Sequence, residues 1–109
     1  MVNKILSIRK RQDFLNLRIK GSKFSSKYFI IYHQKKNQDK LTVGITVSKK
    51  HGNAVTRNRI KRLIRAIFIK HIGTVPCSME IEVIPKKRPD KYKFKSLEED
   101  FLKVLPNLR

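Results

Sequence analysis

Between residues 53 and 71 one helical wheel carries two incompatible surfaces. At 100° per residue, Ile60, Leu63, Ile64, Ile67 and His71 cluster on one side, with Phe68 at its margin. Arg57, Asn58, Arg59, Lys61, Arg62 and Arg65 spread across the other. An aliphatic stripe of that width needs a second layer to cover it, so this segment commits the chain to a packed, layered fold. Asn53 suits an N-cap, and Gly73 followed by Pro76 ends the segment. The helix also breaks a charge rule. Arg57 and Arg59 stand in its opening turns, where the macrodipole favours anions. From Lys49 to His71 there is no Asp or Glu, so the mixed i,i+4 pairs of an ordinary surface helix are missing. Folding alone would not select this arrangement, whereas a negative partner would.

The covering layer is legible on either side of that helix. Residues 27–33 include the β-forming run Tyr28-Phe29-Ile30-Ile31-Tyr32, with Tyr28, Ile30 and Tyr32 sharing one face. After a polar turn over 34–40, residues 41–48 alternate. Leu41, Val43, Ile45 and Val47 lie on one face and Thr42, Gly44, Thr46 and Ser48 on the other. Residues 79–84 read as a third strand with Ile81 and Val83 inward, and Glu80 and Glu82 on the exposed face. A first helix over 10–20 draws its stripe from Phe14 and Leu17, with Ile8 and Leu15, and stops at Gly21. A Pro- and Lys-rich loop covers 85–95. Ser96-Leu97-Glu98-Glu99 then reads as a capping box, and the last helix buries Leu97, Phe101, Val104 and Leu105. Glu98, Glu99 and Asp100 complement that helix's dipole. The order α-β-β-α-β-α with segregated helices predicts an α+β fold on one central sheet. The 109 residues show no repeat or linker and read as one domain, 1–109.

Charge narrows the partners. Lys and Arg number 27 against 8 Asp and Glu, a net +19, and repulsion at that charge opposes compaction unless a polyanion relieves it. Nucleic acid, an anionic membrane surface and an acidic protein are the candidates. Hydrophobic content of 39% supports a folded domain rather than a disordered polycation. Cys77 is the one cysteine, which excludes an intramolecular disulfide and a thiolate zinc cluster and fits a small apolar residue in a reducing compartment. No apolar run reaches a membrane span, and the N-terminus lacks a signal peptide's pattern, so a cytoplasmic location is expected.

Arginine dominates the basic face, and its planar fork suits bidentate phosphate contacts. Lys49 and Lys50 extend the patch, and Gly52 lets the backbone approach a phosphate near the free N–H groups of the first turn. Phe14, Tyr28 and Tyr32 form a second signal, since aromatic rings beside cations hold single-stranded nucleic acid. Phe24, Phe29 and Phe101 read as core. No paired carboxylates in a cleft, no metal-ligand spacing among His33, His51 and His71, and no Gly-rich nucleotide loop are found. Bond-breaking by the protein's own side chains, and a protein metal site, are therefore not expected.

The run from Ser48 to Arg65, with Arg57-Asn58-Arg59 at its centre, closely resembles the arginine-rich motif of the protein subunits of bacterial ribonuclease P. The likeness extends over nearly the whole chain: Asp13-Phe14 with Gly21, the strand Tyr28–Tyr32, the strand Val43–Ser48 and the acidic last helix. In that family a large RNA with bound Mg²⁺ removes the 5′ leader from precursor tRNA, and the small basic protein binds that RNA and the leader. The resemblance implies RNA-facing roles for Lys49, Lys50, Asn53, Arg57, Asn58, Arg59, Lys61, Arg62 and Arg65. It implies a leader-binding cleft at Phe14, Arg18, Tyr28, Ile30 and Tyr32. It implies a monomer bound one-to-one to the catalytic RNA, no membrane partner, and a left-handed βαβ crossover around the basic helix, against the usual hand. Three departures stand out. Arg18 replaces a frequent second aromatic, Ser7 stands where an Arg is common, and Glu80 and Glu82 occupy a strand usually more apolar, which places that strand at an edge. A ribosomal-type or general RNA-binding protein is the alternative from a non-enzyme class, and peripheral membrane binding the third reading.

Overall fold

A computed structural model of the chain describes residues 5–7, 11–36, 41–71, 78–87 and 92–108. Ile8, Gly73, Pro76, Cys77, the tip of the polar turn at 37–40 and the loop at 88–91 lie outside the described residues. The elements are β1 (Ile5–Ser7), α1 (Arg11–Lys20), β2 (Ser22–Ser25), β3 (Phe29–Lys35), β4 (Leu41–Ile45), α2 (Ala54–Lys70), β5 (Met79–Pro85) and α3 (Phe94–Val104). A short 3-10 turn, Lys49–His51, precedes α2, and another, Leu105–Leu108, follows α3. The fold is α+β on a single sheet, with the expected α-β-β-α-β-α order and two added short strands, β1 and β2.

The sheet runs β1-β4-β5-β3-β2. β4 and β5 are adjacent and parallel, so α2 is the helix of a βαβ crossover. β5 pairs antiparallel with β3, and β3 with β2. The strand bearing Glu80 and Glu82 is thus the middle of the sheet, not its edge. One parallel and one antiparallel neighbour satisfy its backbone, and Ile81 and Val83 are buried at 0% and 1% exposure.

Alternation along the strands separates two faces. One carries Phe29, Ile31, Leu41, Val43, Met79, Ile81 and Val83, which join Ile60, Ile64, Ile67 and Phe68 of α2 and Leu97, Phe101 and Val104 of α3 in the main core. Phe68 and Phe101 meet at 4.7 Å between ring centroids, where α2 and α3 cross. Phe24 packs at the core's margin. The other face carries Ile30, Tyr32, Glu80, Glu82 and Gly44, and α1 lies over it, touching β3 and β5. Leu17 is the fully buried residue of α1, while Leu15 is 39% exposed, so the helix stripe is narrower than expected. Gly21 stops the helix with its N–H donating to the Leu17 carbonyl at 2.8 Å. A Cβ there would come within 2.5 Å of the Leu17 carbonyl oxygen and 2.8 Å of the His33 carbonyl oxygen, so only glycine fits where α1 turns into β2.

The expected capping box of the last helix is absent. α3 starts at Phe94, its N-cap Lys93 makes no side-chain cap bond, and the first turn holds no acid. The acids serve tertiary contacts instead. Asp100, 5% exposed, accepts from Ser26 Oγ at 2.7 Å and from the Tyr28 N–H at 2.8 Å, tying α3 to the start of β3. Glu98 accepts from Lys70 Nζ at 2.7 Å and His71 Nε2 at 2.8 Å at the end of α2. Lys70 first, then His71, hold the Glu98 carboxyl below its ordinary value of 4.5. A depressed carboxylate stabilises the fold above its unfolded pKa and loses that contribution as pH falls through the folded value. Glu98→Gln is therefore expected to flatten the acid limb of stability below about pH 4.5, read by urea unfolding between pH 3 and 6. Identical limbs in the two proteins would refute the contact.

Candidate nucleic-acid interface

The entry to α2 is built by short-range bonds. Ser48 Oγ accepts from the Lys50 N–H at 3.3 Å, and His51 Nδ1 accepts from the Ser48 N–H at 3.1 Å. With Nδ1 accepting, Nε2 carries the proton and donates to the Pro85 carbonyl at 2.7 Å, fastening the turn to the end of β5. Gly52 has φ +125°, a conformation that favours glycine, and a Cβ there would meet Thr56 at 3.1 Å. Asn53 then caps α2, its Oδ1 accepting from the Thr56 N–H at 2.9 Å. The amide oxygen of Asn53 is committed to the fold, and the rest of its exposed side chain remains for a ligand.

Lys49, Lys50, Asn58, Arg59, Arg62 and Arg65 are exposed, and Arg57 and Lys61 half-buried along the flank of α2. Among the described residues none of these cations pairs with a carboxylate; the ion pairs there belong to Arg18, Lys70 and His71. Arg59 Nη2 donates to the Tyr92 carbonyl at 3.1 Å, which sets that guanidinium against the loop before α3. Arg57 Nε is enclosed without a hydrogen-bond partner in the described structure. The first turn of α2 holds no acid. Seven cations, Lys49, Lys50, Arg57, Arg59, Lys61, Arg62 and Arg65, thus lie along one connected turn and helix without a carboxylate partner among the described residues. Bound phosphates would supply it.

The groove between α1 and the sheet is a separate candidate site. Cross-strand register places Lys23, Tyr32, Glu82 and Gly44 in one row across β2, β3, β5 and β4. Arg18 reaches down from α1 onto that row. Its Nε donates to Glu82 Oε1 at 2.8 Å and its Nη2 to Glu82 Oε2 at 2.6 Å. Thr46 Oγ1 donates to the same Oε2 at 2.6 Å. Glu82 is wholly buried, contrary to its expected exposure, because this bidentate pair and the hydroxyl satisfy its charge inside the fold. The carboxylate in turn holds the Arg18 guanidinium above its ordinary pKa, with burial opposing. Burial pushes the neighbouring Glu80 carboxyl up, Lys36 opposing and Asp13 adding to the rise.

Of the five residues assigned to the cleft, Arg18 and Tyr32 meet here, with the guanidinium carbon 6.0 Å from the ring centroid. Phe14 and Arg18 are one turn apart on α1, and Ile30 and Tyr32 line the same strand face; Phe14, Ile30 and Tyr32 are half-buried. Tyr28 does not join them. It is 6% exposed and belongs to the main core cluster, with its N–H held by Asp100 and the Lys27 ammonium 5.4 Å from its ring centroid. β3 begins only at Phe29, so the alternation that pointed Tyr28 into the groove does not reach it. Lys23, which was not among the residues expected in the cleft, stands 6.0 Å from the Tyr32 ring centroid. Its position two residues beyond the helix-stopping Gly21 was the available signal.

The ribonuclease P family model matches residues 2–109. The chain belongs to the ribonuclease P protein family. Its sequence is 33% identical over 104 residues to the ribonuclease P protein component of Streptococcus pneumoniae serotype 4, covering 95% of this chain and 85% of that protein. It is 38% identical over 81 residues to the component from Thermotoga petrophila, covering 74% and 69%. The solved RNase P protein of Thermotoga maritima superposes with a TM-score of 0.86 at 32% identity, covering 94% of this chain and 97% of that one. The Staphylococcus aureus RNase P protein gives the same score and identity, with 97% of both chains covered. Family membership sets aside the ribosomal-type alternative. Among the described residues no helix is long and apolar enough to cross a membrane. The apolar side of α2, which lipid insertion would need, is buried against the sheet.

Proposed function

We propose that this protein is the RNA-binding subunit of a ribonuclease P holoenzyme, gripping the catalytic RNA with α2 and its entry turn and holding the 5′ leader of precursor tRNA in the α1 groove. The observation that carries the reading is the α2 surface: cations without carboxylate partners among the described residues, on a helix whose other side is docked on the sheet. The holoenzyme removes the leader endonucleolytically in tRNA 5′ maturation. Catalysis belongs to the RNA, which holds the Mg²⁺. The protein contributes by screening repulsion between two polyanions and by positioning unpaired leader nucleotides beside aromatic and cationic groups. It acts in the cytoplasm as a monomer, one-to-one with the RNA.

Reconstitution with a matching RNA tests this directly. At low Mg²⁺ the protein is expected to accelerate 5′ maturation of a precursor tRNA over the RNA alone, and no acceleration would refute it. The groove has its own test. Tyr32→Ala is expected to weaken leader-bearing substrate by about tenfold, the loss of one base–aromatic stack, while leaving mature tRNA unaffected. Equal effects on both substrates would remove Tyr32 from the leader site.

A further inference from the structure

Arg59 is the one cation of the seven on the α2 surface whose side chain makes a hydrogen bond among the described residues, and its partner is a backbone carbonyl. Its Nη2 donates to the Tyr92 carbonyl at 3.1 Å. A carboxylate partner, such as Glu82 for Arg18, orients a guanidinium and cancels its charge. A carbonyl orients it and leaves the whole positive charge for a ligand. One N–H of five is used, and four remain. The carbonyl itself is firmly held. The Tyr92 ring is buried and belongs to the main core. Its hydroxyl donates to the Lys86 carbonyl. Lys86 is fixed in turn, its N–H donating to the Tyr28 carbonyl at 2.7 Å and its Nζ to the Ser26 carbonyl at 2.5 Å. The residue before it, Pro85, accepts from His51 of the entry turn at 2.7 Å. The end of β5 thus anchors both the turn that carries Lys49 and Lys50 and the carbonyl that holds Arg59.

We propose that Tyr92 is a positioning residue for RNA binding: its buried ring and its hydroxyl hold the carbonyl that pre-orients the exposed Arg59 guanidinium for a phosphate of the catalytic RNA. This rests on the reading of α2 as the RNA-facing surface. An untethered arginine on a helix samples many rotamers, and ordering it at an interface costs affinity. Arg59 is ordered before the RNA arrives, so that cost falls on folding, where the core burial of Tyr92 offsets it. Tyr92 contributes no charge and needs no contact with the RNA. Its effect is therefore on the strength of the Arg59 contact, and not on the number of phosphates neutralised.

Binding to the matching catalytic RNA across a salt series decides it, for the wild type, Tyr92→Phe, Arg59→Ala and the double variant. Tyr92→Phe keeps the buried ring and removes the hydroxyl. It is expected to weaken binding by about three- to tenfold, the range for ordering one long side chain, with the slope of log affinity against log salt unchanged. Arg59→Ala removes a charge and should flatten that slope by about 0.7. In the Arg59→Ala background Tyr92→Phe should have no further effect, because the group it positions is gone. NMR of the arginine side-chain N–H groups gives a reading without RNA. The Arg59 guanidinium should be ordered in the wild type and motionally averaged in Tyr92→Phe. An averaged Arg59 signal in the wild type overturns the inference, whatever the stability of the variant. Equal losses from Tyr92→Phe in both backgrounds overturn it too, and make Tyr92 merely structural. Tighter binding by Tyr92→Phe overturns it by showing that the carbonyl withholds Arg59 from the RNA. No change in affinity or slope for Arg59→Ala, with Arg62→Ala still flattening the slope, overturns the inference and leaves the RNA reading standing. No flattening in either variant overturns both.

Discussion

Arg18→Ala is expected to cost about 3 kcal/mol of folding free energy. Glu82 has no exposure and takes three donated bonds, two from Arg18 and one from Thr46. Truncating Arg18 leaves a buried carboxylate with one described donor, and breaking one side of such a pair costs roughly 3–5 kcal/mol. The low end applies because the Arg18 side chain is itself 40% exposed and water can enter where it stood. Urea unfolding with linear extrapolation measures the loss. The double variant Arg18→Met, Glu82→Leu should recover most of it, since well-packed apolar replacements of buried pairs are often neutral. A loss below about 1 kcal/mol in the single variant would mean that the carboxylate is solvated and the pair is not buried.

The second large effect is on RNA affinity. Arg62→Ala with Arg65→Ala is expected to weaken binding to the catalytic RNA by roughly a hundredfold near 0.15 M salt. Each side chain is exposed and unpaired with a described carboxylate, so each is free to make a charge-assisted phosphate contact worth about 1.5 kcal/mol, or roughly tenfold. The salt dependence is the sharper reading. If about five phosphates are neutralised by the wild type, log affinity falls against log salt with a slope of about −3 to −4, and losing two contacts should flatten it by about 1.4. Thermal stability should hardly move, because neither residue touches the core. An unchanged slope would mean that this face does not meet phosphate.

The basic helix was legible because its signal is local and periodic. Its apolar positions recur at 3.6-residue spacing, and Ile60, Ile64, Ile67 and Phe68 are buried as that spacing requires. Asn53 caps it as expected. β1 and β2 were missed because three- and four-residue strands are too short for alternation to show, and their pairing is set by neighbours rather than by their own pattern. The start of α3 was misplaced because Ser96 and Glu99 have the spacing of a cap, while Phe94 already packs against the core and the N-cap stands three residues earlier, at Lys93. Tyr28 was misassigned because two-residue alternation applies only inside a strand, and the strand begins after it.

Arg18 and Glu82 show the boundary best. In the sequence each stands as a separate departure from the family pattern, a cation in place of a ring and an acid in an apolar strand. Only the fold makes them one compensated pair, across 64 residues of chain. Periodicity, capping and charge sign are local quantities, so the chain alone determines its helices, its main strands, the apolar side of α2 and the cationic side opposite. Whether a charge ends in water or in a partner's arms depends on which distant backbone is brought alongside it. That is decided by strand order, which put β5 in the middle of the sheet and α1 on top of it. Burial makes an unpaired charge so costly that, once β5 was central, Glu82 had to find Arg18.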